Sequence, residues 1–163
     1  MASASAHVGI GFDVHRFCTG RPLLLGGVKV NYPQGLAGHS DADVLLHAIS
    51  DAILGAAGLG DIGQHFPDTD QKWKDADSGL LLKVVVAKAH AAGWQVGNID
   101  ATVICEEPKI APLREAVCAR VAELAGIVPA AVNIKGKTTE HLGFLGRCEG
   151  IAAQAVVLLE RLP

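Results

Sequence analysis

Val8-Gly9-Ile10-Gly11-Phe12-Asp13-Val14-His15 is the stretch on which the fold class turns. Val8, Ile10, Phe12 and Val14 alternate with Gly9, Gly11, Asp13 and His15, and a period of two is the signature of a β-strand. Asp13 and His15 then project from one face and the apolar set from the other. Downstream, Gly26-Gly27 separates Pro22–Leu25 from Val28–Val30, which reads as a two-residue hairpin. Ser40, followed by Asp41 and Asp43, reads as the cap and acidic first turn of a helix, with Leu45, Ala48, Ile49, Ala52 and Ile53 as its apolar face and Gly55 and Gly58 at its end. Ser78 is placed to cap a second helix that runs to about Ala92, with Gly93 at its stop. Asp100–Cys105 reads as a strand, a third helix starts at Pro112 and ends before Gly126, Val132 to Lys135 reads as a strand, and Ile151–Leu159 as a last strand after a Gly-rich loop. This order predicts an α+β fold: a single domain over residues 1–163, one mixed sheet covered by helices, with residues 1–7 as a short flexible tail.

The composition sets limits on function. A chain of 163 residues is the size of one domain, and half of it is hydrophobic while only 4% is aromatic, so the core is aliphatic. Fourteen Lys and Arg against 17 Asp and Glu give a formal net charge of −3, which argues against broad electrostatic capture of nucleic acid or anionic membranes but leaves room for a local cationic pocket. No uncharged stretch approaches the ~18 residues of a membrane span, and Leu80–Val86 is broken by Lys83. The first six residues have neither a basic start nor an apolar run, so no signal peptide is expected. Cys18, Cys105, Cys118 and Cys148 form no CxxC pair, which points to free thiols in a reducing compartment.

Several residue groups are suited to chemistry. His47 has Asp43 and Asp51 four residues to either side, which puts all three on one helix face. That face reads either as an exposed acidic stripe or, if it meets Asp13 and His15, as part of a three-ligand zinc site with one open position. Asp51 is then the candidate to accept the spare N–H of His47. His39 and Ser40 stand where a helix N-terminus can take an anion, although Ser40 is equally a plain cap. Lys135, Lys137, Thr138, Thr139 and Glu140 combine cations, hydroxyls and a carboxylate suited to phosphate and a hard cation, without P-loop spacing. The aspartates of the loop 60–77 suit substrate hydroxyls or simple Asx turns. Glu106-Glu107-Pro108-Lys109-Ile110 either lines a nucleotide pocket or only leads into the Pro112 helix. His7, His65 and His90 read as structural or surface residues.

Taken in order, Gly11-Phe12-Asp13-Val14-His15, His39-Ser40-Asp41-Ala42-Asp43 with His47, Leu59-Gly60-Asp61-Ile62-Gly63, Phe66-Pro67-Asp68-Thr69-Asp70, and Thr138-Thr139-Glu140 with Gly143-Phe144 resemble the 2-C-methyl-D-erythritol 2,4-cyclodiphosphate synthase family from Val8 to Leu159. The resemblance implies a phosphorus–oxygen lyase of the non-mevalonate isoprenoid pathway. It cyclises 4-diphosphocytidyl-2-C-methyl-D-erythritol 2-phosphate and releases CMP. A bacterial, cytoplasmic homotrimer with active sites between subunits is implied, as is one Zn²⁺ per subunit on Asp13, His15 and His47, with Mg²⁺ or Mn²⁺ on Glu140. His39 and Thr138 match the positions that stabilise the transition state. Substrate contacts are implied for Asp13, His15, His39 and Ser40, and for Asp61, Ile62 and Gly63. They are further implied for Phe66, Pro67, Asp68, Thr69 and Asp70 over the methylerythritol part. Cys105, Pro108, Lys109, Ile110 and Ala111 match the cytidine pocket of the neighbouring subunit, Lys137 matches a contact to the nucleotide, and Thr138, Thr139 and Glu140 are further substrate contacts. Lys137 stands where some members carry Thr. Phe144 and Arg147 match a substrate-adjacent segment bordering a central cavity, where an isoprenoid diphosphate is a possible ligand. Two other functions use the same residues: a zinc-dependent diphosphate hydrolase, and a non-catalytic trimer that binds an isoprenoid diphosphate.

Overall fold

The computed structural model describes residues 5–163. In chain order the elements are β1 (Ala6–Cys18), β2 (Leu23–Leu25), β3 (Val28–Val30), β4 (Gly35–Leu36), α1 (Val44–Ala57), α2 (Ile62–His65), α3 (Ser78–Ala91), β5 (Trp94–Ile104), α4 (Arg114–Ala125), β6 (Val132–Lys137), α5 (Gly143–Gly146) and β7 (Gly150–Arg161). Five strands form one sheet in the order β4-β1-β7-β5-β6, and β2 and β3 form a separate hairpin. β7 is antiparallel to both β1 and β5, while β5 and β6 are parallel, so the sheet is mixed and the fold α+β as expected. The expected tail is shorter than residues 1–7, because Ala6 and His7 already pair with Glu160 and Leu159; residues 1–4 lie outside the described part.

β1 sets the architecture through its glycines. Gly9 and Gly11 face α1 so closely that an added Cβ would stand 1.9 Å from the carbonyl oxygens of Ala52 and Ala48. The helix therefore lies directly on the strand, on the same side as Asp13 and His15. Helix residues Leu45, Ile49 and Ile53 are fully buried, and each such side chain contributes about 1.5–3 kcal/mol by leaving water. The other face of β1 is uncovered in the single chain: Val8, Ile10 and Phe12 are 68%, 63% and 56% exposed.

The Gly26-Gly27 turn is as the dipeptide predicts, with φ of 62° and 74°. Asp43, completely buried, accepts the N–H groups of Gly26 and Gly27 at 2.9 and 2.7 Å and that of Leu46 at 3.1 Å. It thus pins the hairpin to the start of α1. Two expected caps shift by a few residues. Asp43, not Ser40, caps α1, and Asp77, not Ser78, caps α3 by accepting from Gly79 and Leu80. In both cases a carboxylate is the better acceptor for free helix N–H groups. No helix among the described residues is long and apolar enough to cross a membrane.

Candidate active site

Asp13 and His15 leave β1 toward α1, and His47 rises from the first turn of that helix to meet them. Asp13 Oδ2 lies 2.9 Å from His15 Nε2 and 2.9 Å from His47 Nδ1, and the two imidazole nitrogens are 3.2 Å apart. This convergence of strand and helix is the contact that the residue types alone left open. The backs of the rings define their tautomers. His15 Nδ1–H donates to the Ala37 carbonyl at 2.7 Å, which leaves Nε2 as a lone pair. His47 Nε2 faces Ser78 Oγ at 2.9 Å, and Ser78 in turn donates to Asp41. With Nε2–H directed at Ser78, His47 presents the lone pair of Nδ1. Two imidazole lone pairs and a carboxylate oxygen aimed at one point repel each other unless a cation stands between them, so the donor set fits a metal with three protein ligands. Burial pushes the Asp13 carboxyl up, but when the facing imidazole nitrogens carry protons in place of a metal, their hydrogen bonds and charge outweigh this and hold it well below the usual carboxylate range. Burial disfavours a charged His15, yet Asp13 and the Ala37 carbonyl raise its pKa above the ordinary histidine value.

The expected roles of two aspartates are different in the structure. Asp51 does not reach the spare nitrogen of His47; its Oδ1 accepts the Ile62 N–H at 2.7 Å and so holds the loop that starts α2. Asp43 is consumed by the hairpin. The partners of His47 Nε2 are instead Ser78, at the base of α3, and Ser40 at 3.1 Å. Asp41 anchors Ser78 twice, through Oγ and through the Ser78 N–H at 2.9 Å. Nothing in the local sequence marks Ser78 as a partner of a residue 31 positions earlier. Ser78→Ala is expected to leave the fold intact, because Asp77 is the cap, and to weaken metal binding about ten- to a hundredfold. Chelator competition with the purified variant checks this, and unchanged affinity would return Ser78 to a packing role.

A cavity of about 320 Å³ opens beside the three ligands, lined by His39, Ser40, Ile62, Gly63, Phe66 and Asp68 among others. Phe66 is buried, with its ring edge-on to Trp73 at 4.8 Å between centroids. Asp61 and Asp70 are engaged locally, as the Asx alternative predicts: Asp61 caps α2 through Gln64, and Asp70 accepts from Lys72 N–H at 3.0 Å. Pro67 and Thr69 lie on the same loop, outside the cavity lining.

A second cavity, about 580 Å³, is lined by Cys105, Pro108, Lys109, Ile110 and Ala111 from one segment and by Lys135, Lys137 and Thr138 from β6 and its end. Three lysines, Lys109, Lys135 and Lys137, and apolar walls suit a nucleotide. Burial pushes the Cys105 thiol up to about 12, which disqualifies it as a nucleophile. Thr138 Oγ1 donates to Glu140 Oε1 at 3.0 Å, and both residues are exposed, as are Phe144 and Arg147 on the following turn. One chain therefore brings Asp13, His15, His47, His39 and Ser40 together in one hollow and the 105–111 segment with Lys137 and Thr138 in another.

The model of the YgbB family matches residues 6–160. The chain is 62% identical over 154 residues to the 2-C-methyl-D-erythritol 2,4-cyclodiphosphate synthase of Bordetella avium, covering 94% of this chain and 95% of that one. A solved Plasmodium falciparum structure, IspF in complex with CDP, superimposes with a TM-score of 0.86 at 32% identity, covering 99% of this chain and all of that one. A CDP-bound 2C-methyl-D-erythritol-2,4-cyclodiphosphate synthase does so with a TM-score of 0.86 at 36% identity, covering 94% and 99%. The match covers the residues that line both hollows, and this chain belongs to the YgbB family.

Proposed function

We propose that this protein is a 2-C-methyl-D-erythritol 2,4-cyclodiphosphate synthase that converts 4-diphosphocytidyl-2-C-methyl-D-erythritol 2-phosphate to the cyclic diphosphate and CMP. The observation that carries the reading is the Asp13–His15–His47 convergence beside the cavity of His39 and Ser40, in a chain 62% identical to a synthase of that name. In the reaction an oxygen of the 2-phosphate forms a bond to the β-phosphorus. The bond from that phosphorus to the bridging oxygen breaks, and the electron pair leaves with CMP.

Asp13, His15 and His47 would hold Zn²⁺ and Glu140 would hold Mg²⁺ or Mn²⁺, and these ions would supply positive charge to the diphosphate. The protein's own groups supply position. His39 and Ser40 border the metal-side hollow and contact the attacking or transferred phosphate. Asp61, Ile62, Gly63 and the Phe66–Asp70 loop enclose the methylerythritol hydroxyls. Lys109 and the 105–111 backbone hold the cytidine, and Lys137 and Thr138 face the diphosphate, with Thr139 on the same turn. Holding both phosphates of one substrate in one site removes translational and rotational entropy from the barrier. The two hollows are joined by assembly: a homotrimer covers the exposed apolar face of Val8, Ile10 and Phe12 and sets the cytidine pocket of one subunit against the metal-side hollow of the next. Phe144, 46% exposed, and Arg147 then border the shared central space, where an isoprenoid diphosphate is the candidate ligand. The protein acts in the bacterial cytoplasm.

The test is CMP release from the synthetic substrate by protein reconstituted with Zn²⁺ and Mg²⁺. Release that requires both ions is expected; absence of turnover under these conditions would overturn the reading. Thr138→Val probes the chemical step. It keeps the β-branched shape and deletes one donor, so kcat should fall about a hundredfold or more while KM changes little. A raised KM with intact kcat would limit Thr138 to binding.

A further inference from the structure

Glu106 is a buried carboxylate that the chemistry above does not use. It follows β5 and is only 6% exposed, between the segment that lines the larger cavity and the turn that carries Thr138 and Glu140. Its Oε1 accepts two backbone hydrogen bonds from that turn, the N–H of Thr139 at 2.9 Å and the N–H of His141 at 3.2 Å, and lies 3.1 Å from the Thr139 hydroxyl, whose one proton it shares with the Leu142 carbonyl at 2.8 Å. Oε2 lies 3.5 Å from His141 Nδ1. The parallel ladder between β5 and β6 reaches its end one residue earlier, where the Cys105 N–H donates to the Lys137 carbonyl at 2.9 Å. Beyond that point a side chain takes over from the backbone.

The turn needs such a partner. Glu140 and His141 are consecutive non-glycine residues at φ of 55° and 62°, a strained conformation that persists only where surroundings enforce it. Successive amides in such a turn converge into a small anion-binding nest, and here the anion is the chain's own carboxylate. Burial would raise the Glu106 pKa, but the N–H groups of Thr139 and His141, the Thr139 hydroxyl and the charge of His141 outweigh it and keep the group ionised. The same turn orients the two groups that face outward: Thr138 Oγ1 sits 3.0 Å from Glu140 Oε1.

We propose that Glu106 is a positioning residue for the synthase reaction: its buried carboxylate fills the nest at Thr139 and His141 and thereby holds Thr138 and Glu140 in the geometry that meets the substrate diphosphate. The proposal rests on the synthase reading for its kinetic consequence and on the structure alone for its effect on the turn. Because Glu106 adjoins Cys105 and leads into Pro108–Ala111, it also ties the nucleotide pocket rigidly to the catalytic turn.

Glu106→Leu keeps the bulk and removes every acceptor. In the metal-loaded trimer, kcat should fall on the order of a hundredfold through misplacement of the reacting groups. The Mg²⁺ concentration for half-maximal activity should rise, because Glu140 is no longer held, while Zn²⁺ content stays at the wild-type level. Glu106→Gln retains the accepting oxygen and should recover activity to within about tenfold of wild type. A purely stabilising residue would lower Tm without moving kcat or the Mg²⁺ dependence of the folded fraction. Amide hydrogen exchange supplies a readout independent of turnover: the Thr139 and His141 amides should lose protection in Glu106→Leu and keep it in Glu106→Gln. If Glu106→Leu fails to assemble, Glu106→Asp, which withdraws the carboxylate by one methylene, should show the same losses in weaker form. Wild-type kcat and Mg²⁺ dependence in the Leu or Asp variant, or unchanged protection of both amides, overturns the proposal. Wild-type protein that does not turn over the substrate overturns the synthase reading instead, and the exchange data still decide the role of Glu106.

Discussion

His47→Ala is expected to lose metal and activity together. The imidazole supplies one of three ligand atoms, and its Nδ1 is held 2.9 Å from Asp13 Oδ2 by contacts at the far side of the ring. Asp13 and His15 alone leave a two-ligand site on a strand, too open to retain an ion through purification. The ion is worth several kcal/mol of barrier, so turnover should fall by about a thousandfold or more. The fold should survive, because His47 borders a cavity and does not lie in the aliphatic core. Metal analysis and turnover on the same preparation check the result. Full zinc occupancy with normal turnover would remove His47 from the site.

Gly11→Ala is expected to have the largest effect on folding. The added methyl would stand 1.9 Å from the Ala48 carbonyl oxygen and 2.8 Å from the Ala52 nitrogen, and both are backbone atoms inside α1 that cannot rotate away. The helix would have to lift from β1, opening the packing around Ile49 and Ile53. A loss of at least ~3 kcal/mol follows, which is a large share of the ~5–15 kcal/mol available to a domain. The thermal midpoint should drop by roughly 10 °C. Metal affinity should fall as well, since the same helix shift separates His47 from Asp13 and His15. Gly55→Ala is the control. It sits in the same helix with its nearest contact 4.0 Å away, so the substitution should raise stability by about 0.5–1 kcal/mol. Equal and small effects of the two changes, read by thermal denaturation, would show that α1 does not lie against β1 as described.

These two substitutions mark where the sequence is readable and where it is not. The alternation from Val8 to His15 identifies a strand and places Asp13 and His15 on one face. It does not say which face a helix will cover. Here the glycine face is covered, because small residues allow close approach of the helix, and the apolar face is open in the single chain. The hairpin at Gly26-Gly27 and the stop at Gly126 are legible because left-handed backbone demands glycine at those points. The caps of α1 and α3 fall on Asp43 and Asp77 and not on the nearby Ser40 and Ser78, because serine and aspartate both accept from free helix N–H groups and local sequence does not separate them. Asp51 looked like the partner of His47 because helical spacing is visible in sequence. Ser78 did not, because only folding brings α3 to that ring. Glu106 was hidden for the same reason: its hydrogen bonds span 33 and 35 positions. The separation of the candidate site into two hollows also follows from tertiary placement, and no spacing rule predicts it.

The central claim is that the substrate's own phosphate, and not water, displaces CMP. Turnover in ¹⁸O-enriched water, followed by phosphorus NMR and mass spectrometry, tests it directly. Cyclisation predicts CMP and a cyclic diphosphate in equal amounts, with no solvent oxygen in either. A linear product, or ¹⁸O in CMP or in the methylerythritol phosphate, would contradict the account and identify a hydrolase built on the same ligands.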